Sequence, residues 1–415
     1  MASGIRSVGV LLLAVGILSV GHGLHGSLVG VRAQAENFSA ATTGLIMSGY
    51  FAGLLVSSSA TPRIVQSVGH IRVFAAFASV VSTAVMLIPL WVDPVWWFFM
   101  RFVAGLCTSG LFIVCESWLN STSSNENRGQ LLSIYMIVTY AAMGFGQFLL
   151  NVTDTSGFSR FIIVSALLSL ALVPLTLLPS ETPNLAGTRS VSLAEIYRAS
   201  PLALVACFLS GLAQSAFFSM GAVYGLMQGL SLPYISIMLA LPPLAVILSQ
   251  YPAGLLSDRY DRRTIIMLMS ATAAAIAAAS VPAAHVSDIA VIALYTLFGG
   301  IMLPIYSLVI AHANDHLDKQ QMLGASGKLV LIYGMGAMAG PSLAGEVMQT
   351  LGTAGFMTYM AVIYVIMTVH ALWRRAQKPE ALKASSAELL KVGPMSTPVA
   401  AQSLAKEESS RGAAA

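Results

Sequence analysis

The chain has 415 residues, of which 56% are hydrophobic and only 9% are charged, whereas about 25% of the residues of a soluble domain are charged. This composition excludes a soluble globular protein and predicts an all-α protein that crosses a membrane many times. The formal net charge of +4 admits a nucleic-acid partner only if the basic residues form one surface, which their distribution does not support.

Twelve apolar runs follow one another along the chain, each near the length of about 20 residues that a helix needs to cross a bilayer. Most segments between them are short, as expected for a compact helix bundle, and the lipid bilayer is therefore a predicted partner. The runs occupy residues 8–31, 40–61, 71–91, 95–118, 130–152, 160–178, 201–227, 234–256, 264–283, 288–311, 322–348 and 354–376.

The basic residues are distributed unevenly between alternate loops. With the N-terminus in the cytoplasm, seventeen of the 21 Lys and Arg residues fall on the cytoplasmic side, Arg32 and Arg160 fall outside, and Arg101 and Lys328 lie within helices. Since cytoplasmic loops carry an excess of Lys and Arg, both termini are predicted to be cytoplasmic. The positive charge is thus explained by topology, and no nucleic-acid partner is expected.

The two halves of the chain repeat each other at an offset of 192 to 194 residues. An offset of 194 pairs Arg101 and Gly105 with Tyr295 and Gly299. Such a repeat predicts two six-helix bundles related by an axis along the membrane normal. The predicted domains are a first bundle over residues 1–180, a cytoplasmic linker over 181–200, a second bundle over 201–376 and a disordered cytoplasmic tail over 377–415.

A dense cluster of charge separates the eighth apolar run from the ninth. The segment Gly254-Leu-Leu-Ser-Asp258-Arg-Tyr-Asp-Arg-Arg263 ends one run, and the next begins at Thr264. Charge of this density between two membrane-length segments predicts a tight turn at the water interface. A small residue such as Gly254 lets two helices approach closely, and the arginines can pair with acids on neighbouring helices. We interpret the segment as a latch between helices.

This segment resembles the loop signature of the major facilitator superfamily, roughly G-x-x-x-D-R-x-G-R-R, with Asp261 where the family usually has its second glycine. The fourth run contains Arg101-Phe-Val-Ala-Gly105, which resembles the R-x-x-x-G element of that superfamily. The eleventh contains a strip from Gly336 to Gly345 that is similar to the Gly-Pro strip of its antiporters. The pair Glu116-Ser-Trp-Leu-Asn120 and His312-Ala-Asn-Asp315 looks like the YcaD-type branch of bacterial facilitators.

The resemblance implies the fold of the superfamily, an all-α membrane protein with twelve transmembrane helices in two pseudo-symmetric six-helix bundles. It also implies a secondary active transporter of a small organic solute, in the bacterial cytoplasmic membrane, whose halves rock around a central site. Proton-coupled efflux is the preferred version, because the expected cavity is mostly neutral and the Gly-Pro strip is present. The alternatives are uptake of a sugar or other polar metabolite, and a membrane sensor or scaffold without transport. We expect a monomer.

Helices one, four, seven and ten line the central path in that superfamily, and the resemblance therefore favours polar residues on these helices as cavity groups. A ligand pocket of this kind is mostly apolar with a few hydrogen-bonding groups. Arg101 either has a structural partner or contacts the solute or a proton-carrying group. None of the 17 acidic residues lies near the bilayer midplane, so the candidate proton carriers are His22 and His25, or Glu116 acting with Arg101 or with the latch; transport without a coupled proton is the alternative. The predicted cavity residues are His22, His25, Arg101, Gln147, Asn151, Gln214, Tyr224, Gln250, Tyr306 and Tyr333.

The resemblance further implies a cytoplasmic gate made of ion pairs. Glu116 is expected to meet Arg63 or Arg72 of the loop over residues 62–72, and the latch is expected to join the end of the tenth helix. Such pairs break when the face opens; a permanent structural tie is the alternative. The predicted gate residues are Arg63, Arg72, Glu116, Asp258, Arg259, Arg262, Arg263 and Asp315, and the predicted packing or hinge residues are Gly105, Gly254, Gly336, Gly340, Pro341 and Gly345.

The sequence lacks the motifs of other membrane machinery. It has no G-x-x-x-x-G-K-S phosphate loop, no His/Cys metal spacing and no G-x-S-x-G elbow. Cys107, Cys115 and Cys207 lie within apolar runs, so no disulfide framework is expected. We therefore predict neither an ATP-driven pump nor an enzyme, and no cofactor or metal.

Overall fold

The computed structural model describes residues 2–122, 128–152, 157–176, 197, 200–284, 286–317 and 319–377. The predicted linker over 181–200 and the predicted tail over 377–415 lie almost entirely outside these residues. The described chain consists of long helices joined by short connections. The helices are α1 (Ala2–Ala35), α2 (Ala40–Val68), α3 (His70–Leu87), α4 (Pro94–Thr122), α5 (Arg128–Phe148), α6 (Ser159–Leu170, continued by a short helical segment at Leu172–Thr176), α7 (Pro201–Met227), α8 (Leu232–Arg259), α9 (Arg262–Ala283), α10 (Asp288–Asn314), α11 (Lys319–Leu351) and α12 (Gly355–Gln377).

The helices have the length and composition of membrane spans. Eleven segments of the described chain are long and apolar enough to cross a membrane, and the first ten correspond to α1 through α10. The eleventh, Gly327–Gln377, has 51 residues and contains both α11 and α12, which meet at a single 3-10 turn. The described residues therefore form twelve membrane-spanning helices, and the predicted all-α membrane fold is confirmed.

The connection between α2 and α3 is much shorter than the predicted loop over residues 62–72. Helix α2 continues through Pro62 to Val68, and α3 starts at His70. Gly69 separates the helices with a φ of 88°, a conformation that glycine adopts far more readily than other residues. The polar residues of this segment do not end the helix, because their backbone groups stay bonded within it while their side chains reach water.

The equivalent connection between α8 and α9 is a tight turn at Tyr260 and Asp261. Asp261 has a φ of −56°, so this turn does not require the glycine that is usual in the family signature. Its Oδ1 accepts a hydrogen bond from the Arg263 backbone N–H at 3.0 Å, and its Oδ2 accepts one from the Thr264 hydroxyl at 3.0 Å. Asp261 therefore caps the start of α9.

The two halves contact each other through equivalent helices. Helix α2 packs against α11, and α5, the counterpart of α11, packs against α8, the counterpart of α2. Helix α1 packs against its own counterpart, α7. Exchange of the halves thus reproduces the same set of contacts, as expected for two pseudo-symmetric six-helix bundles.

The halves come into close backbone contact near one end of the bundle. We call the end that carries residues 63–72 and 258–263 the terminal face and the opposite end the far face. At the far face, a Cβ atom on Gly44 of α2 would overlap the carbonyl oxygen of Pro341 of α11, and one on Gly345 would overlap that of Ala40. Part of the predicted Gly-Pro strip therefore seals the halves together at the far face.

Hydrogen bonds reinforce this seal. Two of them join α2 and α11 near these glycines, namely Ala41 N–H to Gln349 Oε1 at 3.3 Å and Ser48 Oγ with Ser342 Oγ at 2.8 Å. A third joins the halves at the other helix pair of the far face, where Asn151 Nδ2 after α5 donates to Ser236 Oγ of α8 at 2.8 Å. Asn151, a predicted cavity residue, thus lies between the halves at the far face. The bundle is closed between its halves at the far face.

The other predicted packing glycines do not lie between the halves, and each is packed within its own half. A Cβ atom on Gly336 or Gly340 would overlap a backbone carbonyl of α7, and one on Gly105 of α4 would overlap the carbonyl oxygen of Tyr50 on α2. Gly254 is buried near the end of α8. Small residues of this kind allow helix backbones to approach closely within a membrane.

Candidate functional site

A cavity of about 110 Å³ lies between the two halves. Helices α1, α2, α4 and α5 line it from the first half, and α7, α10 and α11 line it from the second. The lining extends along α2, α4 and α11 toward the terminal face, where it includes Ser58, Ile113 and Val330. The surface of the cavity is mainly apolar.

The structure brings most of the predicted cavity residues together. His22, Arg101, Gln147, Gln214, Tyr306 and Tyr333 line the cavity. His25, Tyr224 and Gln250 do not belong to its lining.

The three remaining residues lie elsewhere for identifiable reasons. Tyr224 lies ten residues beyond Gln214 on α7, about 15 Å nearer the far face, where its ring stacks on Phe356 with centroids 4.9 Å apart. Gln250 points within the second half and donates to Ser307 Oγ at 2.7 Å. His25 lies one turn beyond His22 on α1 and is buried next to Arg101.

Arg101 is held between helices by neutral groups. Its side chain is buried, and its guanidinium carbon lies 4.8 Å from the centroid of the Tyr50 ring on α2, in a cation–π arrangement. Its Nη1 lies 3.4 Å from Nδ1 of His25. Because a guanidinium can only donate, Nδ1 accepts, which places the proton of a neutral His25 on Nε2. His25 therefore contacts Arg101 from a position outside the cavity lining.

Arg101 has no acidic partner among the described residues of the cavity. The cavity lining includes no acidic side chain, and Arg101 takes part in none of the ion pairs found in the described part of the chain. Glu116, the acid within α4, lies about 22 Å farther along that helix. The guanidinium Nε has no hydrogen-bond partner among the described residues. The described protein groups thus leave the positive charge of the cavity unneutralised.

Two glutamines on opposite walls differ in their remaining hydrogen-bonding capacity. Gln147 of α5 donates to the carbonyl of Gly23 at 2.8 Å and accepts from Ser27 Oγ at 2.5 Å. Gln214 of α7 accepts from the Tyr333 hydroxyl at 3.1 Å, and its Nε2 has no partner within the described chain. Gln214 therefore offers an amide donor on the wall formed by the second half.

The aromatic side chains of the first half were missed by sequence reasoning. Tyr50 contacts Arg101 and lies 5.6 Å from the His22 ring, and Phe112 lies 5.7 Å from the same ring in an edge-on arrangement. Tyr50 lies on α2, outside the set of helices that the family resemblance favours. The sequence feature that could have indicated Tyr50 is the neighbouring pair Gly49 and Gly53, which allows α2 to contact the backbone of α4.

At the terminal face of the second half, Arg262 joins three helices. It donates to Asp258 Oδ1 at the end of α8 and to Asp315 Oδ1 after α10, both at 3.0 Å. Arg263 Nη2 lies 3.1 Å from His316 Nε2. Burial raises the pKa of Asp315 above its usual value, although Arg262 acts in the opposite direction. These bonds link α8, α9 and α10 of the same half.

The gate residues predicted for the first half are arranged differently. Glu116 is fully buried and accepts from the Tyr135 hydroxyl on α5 at 3.0 Å. Arg63 and Arg72 are exposed, and neither makes an ion pair within the described residues. The expected contact of Glu116 with one of these arginines is therefore absent from the described contacts, because Glu116 points inward and both arginines point outward.

Arg262→Ala is expected to destabilise the second half, because Asp258 and Asp315 would lose a common partner while remaining only about one-third exposed. The expected loss is about 1–3 kcal/mol, below the range for a fully buried pair. The midpoint of thermal unfolding in detergent measures it. Arg375→Ala, which removes an exposed arginine from α12, is the matched control; equal effects of both variants would contradict a linking role for Arg262.

Two helical bundles that repeat each other, with a cavity between them closed at one face, define the architecture of a secondary transporter. A sequence model of the Major Facilitator Superfamily matches residues 11–241 and 228–407. The chain belongs to the Major Facilitator Superfamily.

Curated relatives agree with this assignment. The chain is 26% identical over 358 residues to the uncharacterized MFS-type transporter YcaD of Escherichia coli O6:K15:H31 (strain 536 / UPEC), covering 84% of this chain and 91% of that protein. YcaD of Escherichia coli O45:K1 (strain S88 / ExPEC) is 25% identical with the same coverage. The predicted resemblance to the YcaD-type branch is thereby confirmed.

Solved structures of transporters share the fold. A bacterial homologue of the human lysosomal transporter Spinster, in an inward-facing and unoccupied conformation, superposes with a TM-score of 0.67 at 14% identity and covers 97% of this chain and 98% of its own. The nucleoside transporter NupG superposes with a TM-score of 0.72 at 12% identity, covering 91% and 99%. At these identities the similarity establishes the fold alone.

Proposed function

We propose that the protein is a secondary active transporter that carries a small organic solute across the bacterial cytoplasmic membrane by alternating access. The observation that carries this proposal is the central cavity between two halves that are sealed to each other at the far face. The solute binds in that cavity, and the halves rock about it. One chain supplies both walls of the cavity, so a monomer is sufficient for transport.

The transport cycle follows from the contacts between the halves. With both termini in the cytoplasm, the terminal face is the cytoplasmic face, and the far face, where the halves are in close contact, is the outer face. Release to the outside requires the contacts of Gly44 with Pro341 and of Ser48 with Ser342 to separate. The charged residues at the terminal face, including Arg72 of the first half and Asp258 of the second, lie where the opposite gate has to form.

Efflux coupled to proton entry is the preferred direction. The mainly apolar cavity surface suits a solute with a hydrocarbon body better than a sugar, which requires many hydrogen-bonding groups. His22 is the preferred proton carrier, because it lines the cavity and its buried Nδ1 has no partner among the described residues. Imidazole can serve in this role because one of its ring nitrogens can accept a proton and later release it.

His22→Gln is expected to abolish solute movement driven by a pH gradient while preserving exchange of solute between the two sides. Proteoliposomes containing the full chain and loaded with candidate solutes measure both activities. His370→Gln, on α12 outside the cavity lining, is the control and should retain both. Gradient-driven flux that survives in His22→Gln at the wild-type rate would contradict the carrier role.

The same assay separates the rival functions. Accumulation of sugars or other polar metabolites, driven by the proton gradient, would show that the protein takes up its solute and does not export it. A folded wild-type protein that moves no member of a broad solute panel in either direction would contradict transport and favour a membrane sensor or scaffold.

A further inference from the structure

Resting on the transport function proposed above, we infer that the solute is an amphipathic organic monoanion whose charged group pairs with Arg101. The inference joins two features of the same cavity, a buried guanidinium without a counterion among the described residues and walls that are mainly hydrocarbon. It assigns Arg101 as the solute-binding cation and Gln214 as a second hydrogen-bond donor to the solute.

The charge of the cavity requires a negative partner. Arg101 is 3% exposed, and an arginine remains protonated in proteins. Its contacts are the ring face of Tyr50 and the Nδ1 atom of His25, which are neutral groups. A buried charge is costly unless it is paired with an opposite charge, and no acidic residue of the described chain lines the cavity. A bound anion provides that pair.

The number of charges limits the ligand to a single negative charge at its binding end. Among the described residues that line the cavity, Arg101 is the one arginine or lysine. A guanidinium presents two parallel N–H donors to one carboxylate, whereas a dianion would bring a second charge into a low-dielectric space that has no second permanently charged cation among its described lining residues. A carboxylate is therefore the favoured head group.

The rest of the cavity fits an apolar body. Phe51, Leu54 and Phe112 of the first half face the space together with Met143 and Phe218. Water displaced from these side chains favours an aryl or alkyl group. The unpartnered Nε2 of Gln214 lies on the opposite wall, where it can donate to an acceptor at the far end of the solute.

Other solute classes satisfy only one of the two features. A cation would be repelled by Arg101, and a neutral sugar would leave the guanidinium without its charge partner. A small inorganic anion would pair with Arg101 but leave the aromatic and aliphatic walls without contacts. Only a molecule with one anionic end and an apolar body both pairs with Arg101 and contacts the apolar walls.

Calorimetric titration of the full-length protein in detergent tests the inference with matched probes. The probes are benzoate, phenylacetate and octanoate, each compared with its neutral amide of nearly equal shape. We expect at least one carboxylate to bind the wild type, and to bind more tightly than its amide. Arg101→Gln should weaken the carboxylate by about 30-fold or more, as for loss of one member of a buried charge pair, while amide binding stays unchanged. Arg101→Lys should retain a weaker preference for the carboxylate.

Three results would overturn the inference: no carboxylate binds the wild type, amides bind as tightly as carboxylates, or Arg101→Gln keeps the preference. Arg375→Gln removes an exposed charge far from the cavity and must retain the preference for the carboxylate over the amide. Flux of the same probes in proteoliposomes keeps this result separate from the transport proposal. If amides are transported as well as carboxylates, the anion inference is contradicted and the transport proposal stands. If carboxylates bind selectively but no probe is transported, the transport proposal is contradicted and the anion inference stands.

Discussion

Gly105→Ala is expected to cause a large loss of stability in the first half. The added Cβ would overlap the carbonyl oxygen of Tyr50, and the neighbouring Gly53 of α2 already lies against the backbone of α4 at Phe102. Since both partners are helix backbone, neither can rotate away, and α2 and α4 must separate. Overpacking of this kind costs about 1–3 kcal/mol or more.

The thermal unfolding midpoint and the yield of monodisperse protein in detergent measure this effect. Gly9→Ala is the matched control, because a Cβ at Gly9 of α1 meets no atom within 4 Å. The control is expected to be neutral or stabilising by up to about 1 kcal/mol. A Gly105→Ala protein as stable as Gly9→Ala would show that α2 and α4 are not in backbone contact.

Arg101→Ala is expected to abolish transport without lowering stability. A unit charge about 4 Å from its partner contributes about 4 kcal/mol at the effective dielectric constant of a protein site, which corresponds to roughly a thousandfold loss of affinity for an anionic solute. Removal of an unpaired buried cation also removes its desolvation cost, which offsets the lost cation–π contact with Tyr50.

Flux in proteoliposomes and the unfolding midpoint, measured on the same preparation, separate the two roles of Arg101. A functional role predicts lost flux with an unchanged or higher midpoint. A purely structural role predicts the reverse, a lower midpoint with wild-type flux per folded molecule. Gln250→Ala, whose side chain bonds to Ser307 outside the cavity, is expected to keep the flux.

The sequence predicted the helices and their repeat because both depend on local patterns. Hydropathy over about 20 residues marks a membrane span regardless of its neighbours, but it does not mark the end of the helix. Helix α2 therefore extends to Val68, beyond the apolar run that ends near residue 61. The turn at Asp261 shows the same limit, since its conformation depends on hydrogen bonds to Arg263 and Thr264.

The cavity was predictable only in part, because it depends on which face of each helix meets another helix. Arg101 and His22 could be proposed because polar groups in a membrane helix need an internal partner. Tyr224 lies outside the cavity lining because the two halves pack closely at the far face, and hydropathy does not predict such a contact between helices. The contribution of Tyr50 depends on the backbone contact at Gly105, which appears only when α2 and α4 are placed together.

A reversible cross-link across the far face tests the central claim that the two halves separate there during transport. Ser48 Oγ of α2 and Ser342 Oγ of α11 lie 2.8 Å apart, so Ser48→Cys and Ser342→Cys in one chain place two sulfur atoms within bonding reach. The measurement is flux before oxidation, after oxidation and after reduction, with each single variant as a control. The account predicts that the oxidised double variant stops transport and that reduction restores it. Wild-type flux in a fully cross-linked protein would contradict alternating access through this interface.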